Sequence, residues 1–295
     1  MVAVITLERF HSIKNIDKLS ISGEHRVMRR RCKALSPVVI LLILIVAFIL
    51  SFCPPPITTC QASESSTEEP AATFEQYVQS LYGTIELKKR GFDLDLFRYA
   101  LIGYFNLKKK DAIKKEGIIS IIDFRKSCNE SRFYVIDLAR QKVLYQTLVA
   151  HGRHSGDIYT RYFSNKPGSL KSSLGFFVTG DTYNGEYGYS LYLYGMDQGF
   201  NDKAKARGIV IHGAPYVTRS FVKAYGKIGR SQGCPALPAG LHINIINTIM
   251  GGTCLFQFYD DKMYLQKSVL LSVEEAAAQF KAEYSPFIQI KISDR

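Results

Sequence analysis

The chain has 295 residues, 46% of them hydrophobic and 12% aromatic, with 18 Tyr, 18 Phe and no Trp. That is ample apolar material for a packed core and too little charge for a disordered chain. The formal net charge of +12 directs attention to anionic partners.

The first 62 residues read as a basic arm followed by a targeting segment. Val38 to Leu50 is an uninterrupted apolar run, preceded by Met28-Arg29-Arg30-Arg31-Cys32-Lys33. Its length fits the apolar stretch of a signal peptide better than a full membrane span. Met28 is a plausible true start, with residues 1–27 an upstream extension. Ala62 closes a small-residue cleavage pattern; an uncleaved anchor over residues 37–52 is the alternative. Leu50-Ser51-Phe52-Cys53 fails as a lipid-attachment site because Phe52 is too large. Either way the remainder is expected outside the cytoplasm, in the periplasm or cell envelope.

Residues 63–73, within QASESSTEEPAAT, are polar and acidic and read as a flexible linker. A helical segment is expected over 74–117, with helices over Phe74–Leu87 and Phe92–Ile113. Leu94, Phe97, Leu101, Tyr104 and Phe105 fall on one helix face. The bases between Lys88 and Lys115 are either a solvated helix face or an attraction to an anionic polymer. For an exported chain, wall or envelope is a better partner than nucleic acid.

From Ile118 onward the period becomes strand-like. Arg132–Leu138 and Lys142–Val149 flank a polar turn and read as a hairpin. Gly175–Thr179, Gly188–Tyr194 and Arg207–His212 are further strands, with turns expected at Gly180-Asp181 and Asn184-Gly185. Leu241, Ile245 and Ile249 mark a helix that Gly251-Gly252 stops, before a strand over Thr253–Tyr259. Tyr187, Tyr189, Tyr192 and Tyr194 are either sheet-face packing or sugar-stacking groups.

Three of the six cysteines precede the cleavage point; Cys128, Cys234 and Cys254 follow it. An odd count permits one disulfide, and pairing Cys128 with Cys254 would leave Cys234 free. His151, His154 and Asp157 make a poor metal set, so neither metal nor cofactor is expected.

Chemistry concentrates in Gly229-Arg230-Ser231-Gln232-Gly233-Cys234-Pro235-Ala236-Leu237 and in Ile211-His212-Gly213-Ala214. A thiol nucleophile needs a base, and donors for the oxyanion that forms. Cys234 precedes a helix, His212 ends a strand, and Gly233 and Pro235 shape a sharp turn around the sulfur. Ser231 could orient that turn or the imidazole.

These stretches resemble the L,D-transpeptidase catalytic domain, more narrowly its murein L,D-transpeptidase-like branch. Ala150-His151-Gly152, Ser155-Gly156, Ser172-Ser173 and Gly175-Phe176-Phe177 extend the resemblance across roughly Phe74 to Tyr259. It implies an α+β, mainly β, sandwich-like catalytic domain over 118–295. It also implies acyl transfer on peptidoglycan stem peptides through a cysteine thioester, and inhibition by carbapenem-type β-lactams. Carried over, Cys234 is the nucleophile, His212 the base and then the acid, and Ser231 a third catalytic member. Backbone N–H groups of Gln232, Gly233 and Cys234 form the oxyanion hole. Arg230, His151 and Gly213 are candidate substrate contacts. The chain departs from the family pattern at Gln232, where histidine is usual, and at Ala236, where arginine or asparagine is usual. The eighteen residues between His212 and Ser231 are slightly long. Hydrolysis by the same pair therefore stands as an alternative, as does a wall-binding domain with an idle thiol. A sortase-like transpeptidase would need an arginine after the cysteine.

Overall fold

The computed structural model describes residues 65–293. The basic arm, the apolar run and the cleavage site lie outside the described residues. No described helix is long and apolar enough to cross a membrane.

Helix α1 (Ser65–Thr84) and helix α2 (Leu94–Lys109) come first. Phe74, Val78 and Leu81, at three- and four-residue steps, bury one face of α1. The expected linker is therefore helical from Ser65 onward. Its alanines and glutamates favour helix, and Ala71 packs against the core as the first inward residue of the stripe. A helix expected over Phe92–Ile113 is shorter, because the Asp93 side chain accepts from the Leu96 N–H and caps it there (2.9 Å).

Eight strands follow in one sheet: β1 (Ile118–Asp123), β2 (Phe133–Asp137), β3 (Lys142–Thr147), β4 (Gly175–Gly185), β5 (Gly188–Gly195), β6 (Val210–Ala214), β7 (Ala236–Pro238) and β8 (Cys254–Phe258). Their spatial order is β3-β2-β1-β8-β4-β5-β6-β7. The β1–β8 and β6–β7 pairs are parallel and the rest antiparallel. An isolated bridge joins Ala150, just past β3, to Ala236 on β7. The two ends of the sheet are thus drawn toward each other. Gly180-Asp181 does not turn the chain; it is a bulge within β4, and the hairpin turns at Glu186-Tyr187.

The central strands are buried on both faces. One face carries Ile119, Ile121, Phe176 and Phe256 against α1, α2 and the C-terminal helix α6 (Val273–Ser293). Gly103 lets α2 lie directly on the sheet: a Cβ there would sit 1.9 Å from the Phe176 ring. The other face carries Ile122, Val135, Phe177 and Leu255 against helix α4 (His242–Ile249). Helix α3 (Arg219–Tyr225) lies in the crossover from β6 to β7, and α5 (Lys262–Lys267) follows β8. Helices and sheet share one compact unit.

The pairing of Cys128 with Cys254 is not made; Cys128, Cys234 and Cys254 are all unpaired and buried. Cys254 belongs to the helix-side core and Cys128 to a separate small cluster with Leu148 and Val217. Counting cysteines carries no geometry, and these two face different interiors.

Candidate active site

The parallel pairing of β6 and β7 sets His212 opposite Ala236. Cys234 lies two residues before Ala236, so its side chain meets the beginning of β6. There its Sγ accepts from the Val210 N–H and donates to the Gly208 carbonyl, both at 3.5 Å. Cys234 is 7% exposed. Burial pushes its pKa above the ordinary value, opposed by the Val210 N–H and the charge of Arg207. The resting group is therefore a thiol.

His212 is 3% exposed. Its Nδ1 lies 3.0 Å from the Gly213 carbonyl. A carbonyl can only accept, so Nδ1 carries the proton and Nε2 keeps a free lone pair, the form a general base needs. Burial draws the imidazole pKa below 6.5, the Gly213 contact opposes this, and His242 adds to the lowering. Gly213, expected as a substrate contact, is thus placed as the orienting acceptor. It has to be glycine, because a Cβ would lie 2.5 Å from the His242 ring. Among the described residues no hydrogen bond joins Sγ to His212. Sγ is held instead by its two bonds to the segment that leads into β6.

Tyr187, at the tip of the β4–β5 hairpin, stacks on His212 with ring centroids 4.6 Å apart and planes 28° off. Of the four tyrosines noted in the sequence, this one reaches the site; Tyr192 stacks on Tyr183 and Tyr189 bonds Asn247. Removing the ring by Tyr187→Ala is expected to hydrate His212 and raise its pKa toward 6.5. An NMR titration of the imidazole reads this directly.

Ser231 organises the turn rather than the imidazole. Its Oγ donates to the Cys234 carbonyl (2.6 Å) and accepts from the Gly233 N–H (3.1 Å). Of the three expected oxyanion donors, Gly233 is thereby occupied. The N–H groups of Gln232 and Cys234 make no hydrogen bond among the described residues. Gly233 sits at φ +126°, and a Cβ there would lie 2.8 Å from the Lys171 carbonyl. Gly233→Ala is expected to cost about 1–3 kcal/mol through strain. The same change should slow alkylation of Cys234 at least tenfold by displacing the turn. Thermal melting and peptide mass spectrometry check the two effects.

The stretch from Ala150 to Ser173 folds beneath this turn. Ser231 donates from its N–H to the His151 carbonyl and accepts from the Arg153 N–H. Ser172 Oγ accepts from the Gly152 N–H and donates to the Gly233 carbonyl. Ser155 Oγ accepts from the Ser172 N–H. Gly152 is needed here, since a Cβ would press to 2.5 Å from the Leu170 carbonyl.

His151 does not line a cleft. It is 1% exposed, with Nδ1 accepting from Arg132 (2.8 Å) and Nε2 donating to the Gly156 carbonyl (3.2 Å). Burial first, and the Arg132 charge second, hold its pKa down to about 3. Arg132 is itself fully buried and, among the described residues, has no carboxylate partner. Its N–H groups go to the Val149 and Lys126 carbonyls, to Thr160 and to His151, and its plane covers Phe124. Burial lowers its pKa to about 10, so it stays charged at neutral pH. Arg230, expected to meet a substrate carboxylate, is paired with Asp157, which also holds Lys227. Arg132 and Arg207 were not singled out by the sequence; a lone arginine before an apolar run gives no periodic signal.

A family model described as the L,D-transpeptidase catalytic domain matches residues 88–258. Comparison with curated proteins gives no match. Among solved structures, an L,D-transpeptidase from Mycobacterium smegmatis aligns at 14% identity over 48% of this chain and 59% of its own, with a TM-score of 0.30. The helical cell shape determining protein Pgp2 from Campylobacter jejuni aligns at 14% identity over 62% and 64%, with a TM-score of 0.34. L,D-transpeptidase 3 from Mycobacterium tuberculosis, solved with a faropenem-derived adduct, aligns at 13% over 48% and 60%, with a TM-score of 0.30. The chain spans about three fifths of the length of each of these structures.

Proposed function

Since the chain belongs to the L,D-transpeptidase catalytic domain family, we propose that it is an exported, envelope-located acyltransferase acting on peptidoglycan stem peptides at the bond between an L- and a D-centre. The observation that carries this reading is the fixed tautomer of His212. With Nδ1–H bound to the Gly213 carbonyl, Nε2 keeps the lone pair a base needs, on the strand paired with the one that follows Cys234.

In the proposed cycle Sγ leaves Gly208 and Val210 and passes its proton to His212 Nε2. The thiolate attacks the carbonyl carbon. The developing oxyanion is held by the N–H groups of Gln232 and Cys234, and by that of Gly233 once Ser231 Oγ releases it. Collapse breaks the C–N bond, the leaving amine takes the proton from His212, and a thioester remains. An acceptor amine on a neighbouring stem then attacks the thioester, gives its proton to His212 Nε2, and the C–S bond breaks; the departing thiolate takes that proton back and returns as the thiol. Ser231 and Gly213 position this pair. The apolar run at residues 37–52 serves export or anchoring in this reading.

The experiment is intact-mass analysis after incubation with a carbapenem, whose strained ring carbonyl is an acyl donor for any activated thiolate. An adduct on the wild-type protein, absent from Cys234→Ala, supports the reading. No adduct after long exposure favours a wall-binding domain with an idle thiol. Hydrolysis by the same residues is the second reading, favoured by Ala236 and by the engagement of Arg230 with Asp157. A stem tetrapeptide incubated with and without a soluble diamino-acid acceptor separates the two: cross-linked product marks transfer, and free amino acid alone marks hydrolysis.

A further inference from the structure

We propose that Arg207 is a positioning residue for Cys234, clamping the loop beneath the catalytic turn and supplying the standing positive charge beside the sulfur. The proposal rests on the reading of Cys234 as nucleophile.

Arg207 begins the segment that wraps the thiol. The next residue, Gly208, gives the carbonyl that accepts from Sγ, and Val210 gives the N–H that donates to it. The backbone at this point is fixed by a tight turn. Arg207 N–H bonds the Lys203 carbonyl, Ile209 N–H bonds the Ala204 carbonyl, and Gly208 adopts φ +65° between them.

The guanidinium grips one loop at four points. It donates to the Ser164 carbonyl, Ser173 Oγ, Ser169 Oγ (3.2 Å) and the Lys171 carbonyl (2.6 Å). The last of these is the carbonyl packed so closely on Gly233 that a Cβ there would meet it at 2.8 Å. The grip is thereby transmitted to the residue before the nucleophile.

Every one of those acceptors is neutral, and among the described residues no carboxylate pairs with Arg207. Three other arginines are compensated, Arg98 by Glu75 and Asp95, Arg125 by Asp123, and Arg230 by Asp157, while Arg132 shares the lack of a carboxylate but is bonded to His151. The Arg207 Nε is buried with no partner. A half-buried cation with only dipoles around it keeps its field, and a nearby sulfur feels it in the thiolate form. The titratable and charged groups that act on Sγ are Arg207 before β6, Tyr183 on β4 and Tyr216 after β6. Burial raises both tyrosine pKa values, Tyr216 to about 12, so both are neutral at working pH. Burial keeps His212 neutral as well. Arg207 is the charge that remains, and it lowers the Cys234 pKa against burial.

The test measures alkylation of Cys234 by iodoacetamide against pH in the full chain, read by mass spectrometry of the Cys234 peptide. Melting temperature is recorded alongside. Arg207→Gln is expected to move the midpoint up by about one pH unit. Arg207→Lys, which keeps the charge and loses the fork, is expected to melt lower yet hold the midpoint near that of the wild type. An unchanged midpoint in Arg207→Gln, or equal shifts in both variants, overturns the proposal. Should the glutamine variant not fold, a shifted midpoint in Arg207→Lys alone overturns it, and a retained one supports it. Carbapenem acylation of the wild type is scored separately. An adduct with an insensitive midpoint sinks the role of Arg207 and leaves the nucleophile standing; no adduct with a sensitive midpoint does the reverse.

Discussion

Cys234→Ala is expected to lower acyl transfer by at least about 10⁴-fold while leaving the protein folded. The proposed cycle passes through a covalent thioester, and no other described thiol can replace this one. Cys128 and Cys254 lie in separate interiors, and burial holds the Cys254 thiol far above its ordinary pKa. The structural cost is small because Sγ makes only two hydrogen bonds, both weak ones to sulfur. Alanine leaves the Val210 N–H without its acceptor, worth about 1 kcal/mol. Initial rates on a stem tetrapeptide and a thermal melt of the same preparation check both halves. Residual activity above one part in a hundred would mean that the nucleophile has been misassigned.

The second large effect is on stability under acid. His151 is neutral in the folded protein, with burial and Arg132 holding its pKa to about 3, whereas it titrates at 6.5 in an unfolded chain. Below 6.5 the unfolded state gains a proton that the folded state refuses. Stability contributed by His151 is thus present above 6.5 and is lost progressively as the pH falls toward 3, by about 1.4 kcal/mol for each unit. Melting temperature against pH should fall through this window, and His151→Gln should flatten the fall. Arg132→Met strikes the same centre from the other side. It strips donors from the Val149 and Lys126 carbonyls, Thr160 and His151 Nδ1. We expect a loss of about 3–5 kcal/mol in chemical denaturation. The turn that carries Cys234 should loosen with it, because the His151 carbonyl receives the Ser231 N–H.

What could be read in advance followed from local chemistry. A cysteine between glycine and proline is a poor place for packing alone, although Cys234 does join the core cluster of Ile209 and Leu237, and the strand ending in His212-Gly213 had the spacing to return to it. The serines and glycines of 150–173 stood out as a stretch, and they converge under the turn. What stayed hidden was whatever depends on distant partners. The four acceptors of Arg207 lie 34 to 43 residues away in sequence, and nothing in its neighbours announces them. Helix α1 reached back into the polar linker because packing through Ala71 and Phe74 overrides a composition that reads as coil. Helix α6 was not anticipated: Glu274-Glu275-Ala276-Ala277 favours helix, but its docking on α1 and α2 is a tertiary fact. The hairpin tip at Tyr187 lacks the usual turn dipeptide, and Asn184-Gly185 drew attention to the wrong position.

The resting place of the sulfur has a consequence for chemical durability. Peroxides and small disulfides react with thiolates they can touch, and Cys234 offers neither the ionisation nor the access while it rests between Gly208 and Val210. For the proposed exported acyltransferase, a working sulfur kept in this way trades immediate reactivity for long survival. Oxidative damage should then track turnover, falling hardest on molecules caught with the side chain swung toward His212.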